Sequence, residues 1–411
     1  DDEIAHMTRE LDEALDQGAI GLSTGLQYVP GSQSDPLVSH ALGDIVKKHR
    51  GIFTSHLRSY TTTTLHRAID EVAEVGRACG IPIQVSHLFA LPDFGILGPP
   101  IRAIIRAIAD LSKYWTPPIP LDFDIAKALK RIMTARQNGV NIGVDIMPTT
   151  SGFTHILAFF PPWSVEGGRD AVLERLKDPQ MRKKILHSIE HAKMDWPHTG
   201  PDAWTLNLFR LMGWECSRIM SVATPKNQKY VGARLVDIAK EQGKHPFDMA
   251  CDLLLEENGQ VLTFESMATP DDPLTERSSY AGMRHPEAMI STDSILMGSG
   301  KPSSLFHGAY PHFLSRFVRD KKMLDLETGV RKMTGLAAEH FQLKGRGKIE
   351  QGAYADILVF DFDTLGTDAC YLTPDVPPRG IEHVFINGKH IVEGHEFRPQ
   401  HMPGKLLRAT H

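Results

Sequence analysis

Two short segments, TSHL over 54–57 and VSHL over 85–88, place His56 and His87 at matching positions 31 residues apart. Each histidine closes an apolar run of strand character. A neutral imidazole is a standard ligand for zinc, so two imidazoles brought to one point could hold the ion. A single histidine of this kind reads best as half-buried and bonded to a backbone carbonyl. The matched pair tips the balance toward metal. A third residue, Asp293, closes the run AMISTD. Alone it reads as a helix cap or turn residue. Beside a metal, a carboxylate can be a ligand and can also carry protons between water and a leaving group. His56, His87 and Asp293 are therefore the candidate metal ligands, and Asp293 the candidate catalytic acid and base.

The chemistry needs elements that aim these side chains at one centre. Apolar runs at 18–24, 51–57, 81–88, 140–148, 260–266 and 287–293 alternate with helical patterns such as LHRAIDEVAEVGRACG, which ends on Gly80. Strand, helix, strand at this spacing predicts parallel βα units, and five or six in series favour a (β/α)₈ barrel over an open sheet. The C-terminal ends of barrel strands form the active-site face. Pro-rich or charged stretches at 89–120 and 153–205 interrupt the rhythm and read as insertions. The sequence thus divides into an α/β barrel region, 1–340, and a C-terminal β-domain, 341–411. In the latter, Asn387-Gly388 marks a hairpin.

Composition bounds the rest. Hydrophobic residues make up 41% and charged residues 23% of 411, as in ordinary globular proteins, and the net charge of −5 argues against nucleic acid or an anionic membrane as partner. No apolar run reaches the roughly 18 to 20 residues of a membrane helix. The cysteines, Cys79, Cys216, Cys251 and Cys370, are widely spaced and form no metal or disulfide pattern, which fits a reducing cytoplasm. A small-molecule substrate is the expected partner. Ser299-Gly300-Lys301 falls short of a phosphate-binding motif and reads as a loop.

The ordered segments EALDQGAIGLSTGLQYVPG, FTSHLRS, IQVSHL, DIMPTTSG, MISTDS, HGAYPHFLSRFVR, VRKMTGLAAEHFQL and GKIEQGAYADILVFD resemble the N-acyl-D-amino-acid deacylases, or D-aminoacylases, of the metal-dependent amidohydrolases. The resemblance spans nearly the whole chain outside the two insertions. It implies an incomplete barrel, strands four to eight, without the family's N-terminal third. It implies that His56 and His87 bind zinc from strands five and six, that Asp293 is the acid and base at the end of strand eight, and that Tyr28 lines the substrate pocket. The implied activity is hydrolysis of an N-acyl amino acid. The family's H-x-H and cysteine ligands have no match here. Its lysine after the second histidine motif is Phe89, its Tyr-Pro-Tyr is Met147-Pro148-Thr149, and a carboxylate-reading arginine corresponds to Leu305. Arg58, beside the first histidine motif, is the nearest replacement for that arginine. A cyclic amide or imide hydrolase on the same fold, and a truncated non-catalytic remnant, stay open beside the linear deacylase.

Overall fold

The computed structural model describes residues 2–112, 114–115, 118–194, 196, 203–266, 272–295, 301–394, 396–398, 400 and 402–409. Ser299-Gly300 lies outside them.

The first strands follow one another through helices: β1 (Gly21–Gly25), β2 (Ile52–His56), β3 (Ile83–Val85) and β4 (Ile142–Ile146). The helices are α1 (Asp2–Asp16) before β1, α2 (Pro36–Lys48), α3 (Leu65–Cys79), then α4 (Gly98–Leu111) and α5 (Phe123–Gln137) between β3 and β4. Helix α3 shows why the sequence folds this way. Leu65, Ala68, Ile69, Val72, Ala73, Val75, Gly76 and Cys79 are its buried residues, spaced to form one face. The helix stops at Gly80, at φ +68°, whose N–H donates to the Gly76 carbonyl. Strand β3 is buried throughout and β4 nearly so, as expected of inner strands of a parallel sheet covered on both faces, whereas β1 is partly exposed.

After β4 the chain leaves the parallel sheet. It builds β5 (Gly152–His155), β6 (Ser217–Val222) and β7 (Val261–Glu265), then returns with β8 (Ala288–Ile290). The parallel sheet has the order β1-β2-β3-β4-β8. The others form an antiparallel sheet, β5-β7-β6. This corrects the sequence reading of 260–266 as another parallel strand. The run is fully buried, so its periodicity could not say which sheet it joins. Helices α6 (Gly168–Lys177), α7 (Pro179–His191), α8 (Leu235–Glu241) and α9 (Pro246–Glu256) flank this sheet in sequence. Their apolar residues form a second core running from Ile156 to Val261, apart from the core of the parallel sheet. The inserted unit therefore reaches well past residue 205.

Short α10 (Tyr280–Arg284) leads into β8. Its last carbonyls are held by fully buried Lys332, whose Nζ donates to the carbonyls of Gly282, Met283 and His285 at 3.0, 2.7 and 2.8 Å. Beyond α11 (Leu305–His312) and α12 (Leu326–Met333), a separate antiparallel sheet contains β9 (Ile357–Phe360), β10 (Ile381–Ile386), β11 (Lys389–Glu393) and β12 (Glu396–Phe397), in that order. Asn387 and Gly388, at φ +47° and +75°, turn the β10–β11 hairpin as the sequence predicts.

Candidate active site

Register sets the stage. Gly25 lies opposite His56, Ser55 opposite Val85, Val85 opposite Val144, and Val144 opposite Ala288. The ladder runs on past the strand ends: Ser86 N–H donates to Ser55, Leu88 N–H to Asp145 and Ser291 N–H to Ile146. The segments carrying His56, His87 and Asp293 are thus tied to one end of one sheet.

His56 Nδ1 and His87 Nε2 face each other at 3.0 Å. The outer nitrogens are also engaged: His56 Nε2 with Gln27 Oε1 at 2.8 Å, His87 Nδ1 with the Tyr60 hydroxyl at 3.2 Å. Gln27 Oε1 can only accept, so His56 carries its proton on Nε2. Tyr60 accepts from Leu57 N–H at 2.9 Å and has the Ser86 carbonyl at 3.1 Å to receive its own proton. His87 then donates from Nδ1 to Tyr60. This protonation leaves the lone pairs of His56 Nδ1 and His87 Nε2 pointing at one another, an arrangement that calls for a cation between them. Two nitrogens on one tetrahedral zinc lie roughly 3.3 Å apart, close to the separation here. Burial first, and His87 second, hold the His56 imidazole well below its ordinary pKa. It stays neutral, as a metal ligand must be.

Backbone conformation singles out the same region. His87 and Asp293 have positive φ, +36° and +43°. The other described non-glycine residues with positive φ follow helices or turn the hairpin, where that geometry is routine. These two follow parallel strands, and such outliers collect at functional sites. Asp145 holds the first in place. One of its oxygens accepts from His87 N–H at 2.7 Å and the other from Gln84 Nε2 at 2.5 Å.

Asp293 is open to water, yet protein crowds it enough that desolvation raises its carboxyl pKa. His87 opposes that rise and Asp145 adds to it. Among the described residues, no group of three or more His, Cys, Asp or Glu side chains is arranged to hold a metal. Asp293 lies near enough to His87 for the two to feel each other's charge. The strand stops at Ile290, and Asp293 follows three residues later.

Tyr28 packs beside His56. Its ring centroid is 4.9 Å from that of His56, and its hydroxyl is 3.2 Å from Thr154 Oγ1. Arg58 turns inward. Its side chain is 1% exposed and makes a forked pair with Glu71, Nε at 3.0 Å to both oxygens and Nη2 at 2.7 Å to one. Its remaining donors reach the carbonyls of Ser32 and Ser34 at 2.7 and 3.1 Å. The guanidinium is buried and paired with Glu71 inside the protein, so it does not reach outward as the sequence reading expected. Gln27, Tyr60 and Asp145 were missed. Their only sequence signal is proximity to Tyr28, His56 and the DIMP segment.

Residues 281–392 match the amidohydrolase family. The chain is 25% identical over 404 residues to N-acyl-D-glutamate deacylase of Alcaligenes xylosoxydans xylosoxydans, covering 98% of this chain and 63% of that one. It is 25% identical over 412 residues to the D-aminoacylase of the same organism, covering 100% and 66%. It thus spans just under two thirds of the length of these relatives. Its fold is shared with the crystal structure of N-acyl-D-glutamate deacylase from Bordetella bronchiseptica, complexed with zinc and a phosphonate inhibitor. That match has a TM-score of 0.68 at 24% identity and covers 99% of this chain and 66% of that one. The chain thus carries amidohydrolase-family sequence over 281–392 and is similar along its whole length to the D-aminoacylases.

Proposed function

We propose that this chain carries the metal-dependent hydrolytic site of a deacylase that cleaves a linear amide, an N-acyl amino acid or a related compound. The observation that carries the reading is the pair of inward-facing imidazole nitrogens, His56 Nδ1 and His87 Nε2, at 3.0 Å. The relatives' names, deacylases of N-acyl-D-amino acids, point to the bond attacked. The five parallel strands support the finer fold assignment. They lie in strict chain order, whereas a doubly wound sheet reverses direction at its midpoint. We take β1 to β4 and β8 as strands four to eight of a (β/α)₈ barrel.

His56 and His87 would hold the ion, and zinc suits two neutral imidazoles. When bound, zinc polarises the acyl carbonyl as a Lewis acid. Asp293 takes the proton of the attacking water as the new C–O bond forms. It returns that proton to the leaving nitrogen as the C–N bond breaks. The products are a carboxylate and an amine. Tyr28, anchored on Thr154, borders the space beside His56.

The test is zinc titration by calorimetry, with a hydrolysis assay on N-acyl amino acids and their esters and amides. The wild-type chain is expected to bind zinc and release acyl acid from part of the panel, and His87→Ala to lose both. Zinc retention by His87→Ala, or no turnover by the zinc-loaded chain, would remove the proposal. Tyr60→Phe tests the outer contacts. Losing the hydroxyl that orients His87 should weaken zinc binding by about 10-fold to 100-fold. Unchanged affinity would leave Tyr60 as packing alone.

A further inference from the structure

A buried acid closes one end of the antiparallel sheet. Glu265 ends β7, and its partners in register are Gly152, the first residue of β5, and Ser217, the first of β6. Glu265 is 6% exposed. Ser217 Oγ donates to its Oε1 at 2.8 Å, while Oε2 is buried without a partner. Thr263 stands two residues back on the same face, and its hydroxyl donates to the Thr154 carbonyl at 3.2 Å. A carboxylate offers about four acceptor sites, and here it would find few donors. Among the described residues no cation stands close enough to offset its charge. Cys216, beside Ser217, keeps its proton, since burial first, then Glu215 and Glu265, push its thiol up to about 12. Arg102 and Arg106 both bind Glu215, at 3.2 Å each. Arg218 alternates to the other face of the sheet and donates to the Gly232 carbonyl at 3.2 Å. Burial raises the Glu265 carboxyl to about 7, with the hydroxyls of Thr263 and Ser217 opposing the rise. The same face of the sheet reaches the candidate site. Thr154 lies opposite Thr263, its hydroxyl is 3.2 Å from that of Tyr28, and the Tyr28 ring stands beside His56.

We propose that Glu265 is a proton-dependent latch on the inserted unit. While it holds its proton, this end of the sheet stays shut and seats Thr154 against Tyr28. When the proton leaves, the end opens to water. A neutral carboxyl lacking one partner costs far less to bury than a charge lacking a counter-ion. Opening lets the acid meet water and return to its ordinary range, so the closed state binds the proton more tightly than the open one. The latch is therefore fully favoured below the ordinary value of 4.5, and that advantage is lost as pH rises to about 7. Its consequence for Tyr28 and the substrate rests on the deacylase reading, whereas the opening itself does not.

Amide hydrogen exchange, corrected for the intrinsic rate and read on peptides spanning 152–155 and 261–265, tests the latch. In the wild-type chain, opening is expected to become roughly 50-fold more frequent between about pH 5 and about pH 8. Glu265→Gln never ionises, so its opening should not change with pH. Ser217→Ala removes a donor to the carboxylate and should carry the loss of protection to higher pH. It stays informative if Glu265→Gln fails to fold. Wild-type opening that ignores pH would overturn the proposal. So would an unchanged pH dependence in the glutamine variant, or no shift in Ser217→Ala. In hydrolysis assays on the zinc-treated chain, KM should rise with pH in the wild type and less in Glu265→Gln. The expected exchange pattern with no hydrolysis at any pH would uphold the latch and sink the deacylase reading.

Discussion

Replacing Asp293 by asparagine lowers kcat by about 10² or more, while zinc binding through His56 and His87 is retained. The substitution suits the backbone, because asparagine accepts the positive φ that Asp293 adopts. It removes the proton carrier while the imidazole pair keeps its outer contacts to Gln27 and Tyr60. The pH profile gives a second readout. Asp293 must be ionised to accept a proton, so activity falls as pH drops through its pKa. Desolvation raises that pKa, so the acid limb lies at higher pH than an unshifted aspartate would put it. The asparagine variant loses that limb. Near-normal turnover in the variant would make Asp293 a turn residue.

Arg58→Met is expected to lower stability by about 3 to 5 kcal/mol, measured by urea unfolding. Glu71, with its side chain 8% exposed, would keep its charge without its partner, and the carbonyls of Ser32 and Ser34 would lose their donors. Methionine preserves most of the stem packing, so the loss reports the guanidinium. The measurement also separates two roles. A substrate contact would raise KM in a protein of unchanged stability. A structural clamp lowers the unfolding midpoint first, and an unchanged midpoint would contradict the geometry.

The Arg58 correction shows where reading from sequence stopped. His56 and His87 were legible because each closes a strand-like run and the runs repeat. Strand alternation would carry Arg58 to the same side as His56, two residues on. But β2 ends at His56, so the alternation no longer applies, and Arg58 turns to Glu71 on α3. Gln27 and Asp145 were hidden for a different reason. Gln27 meets His56 across 29 residues of chain, and Asp145 meets the His87 backbone across 58. Such contacts exist only once the strands are in register. The parallel sheet was readable from its repeating strand-helix rhythm. Strand β7 was not, because a fully buried run looks the same in either sheet.

The inserted unit also bears on how quickly the sheet can assemble. Strands β1 to β4 each pair with the next in the chain, β1 to β3 across short crossovers and β3 to β4 across a longer one, but β8 joins β4 only after a far longer detour. Closing a flexible loop of about 140 residues instead of about 30 costs roughly 1.4 kcal/mol more in chain entropy. The antiparallel sheet removes much of that penalty, because Gly152, near the start of the detour, pairs with Glu265 near its end. Once this unit has formed, its two ends sit on neighbouring strands and the remaining loop is short. Loop closure favours an order in which the second core forms before β8 docks on β4, and Asp293 reaches the histidines only with that docking.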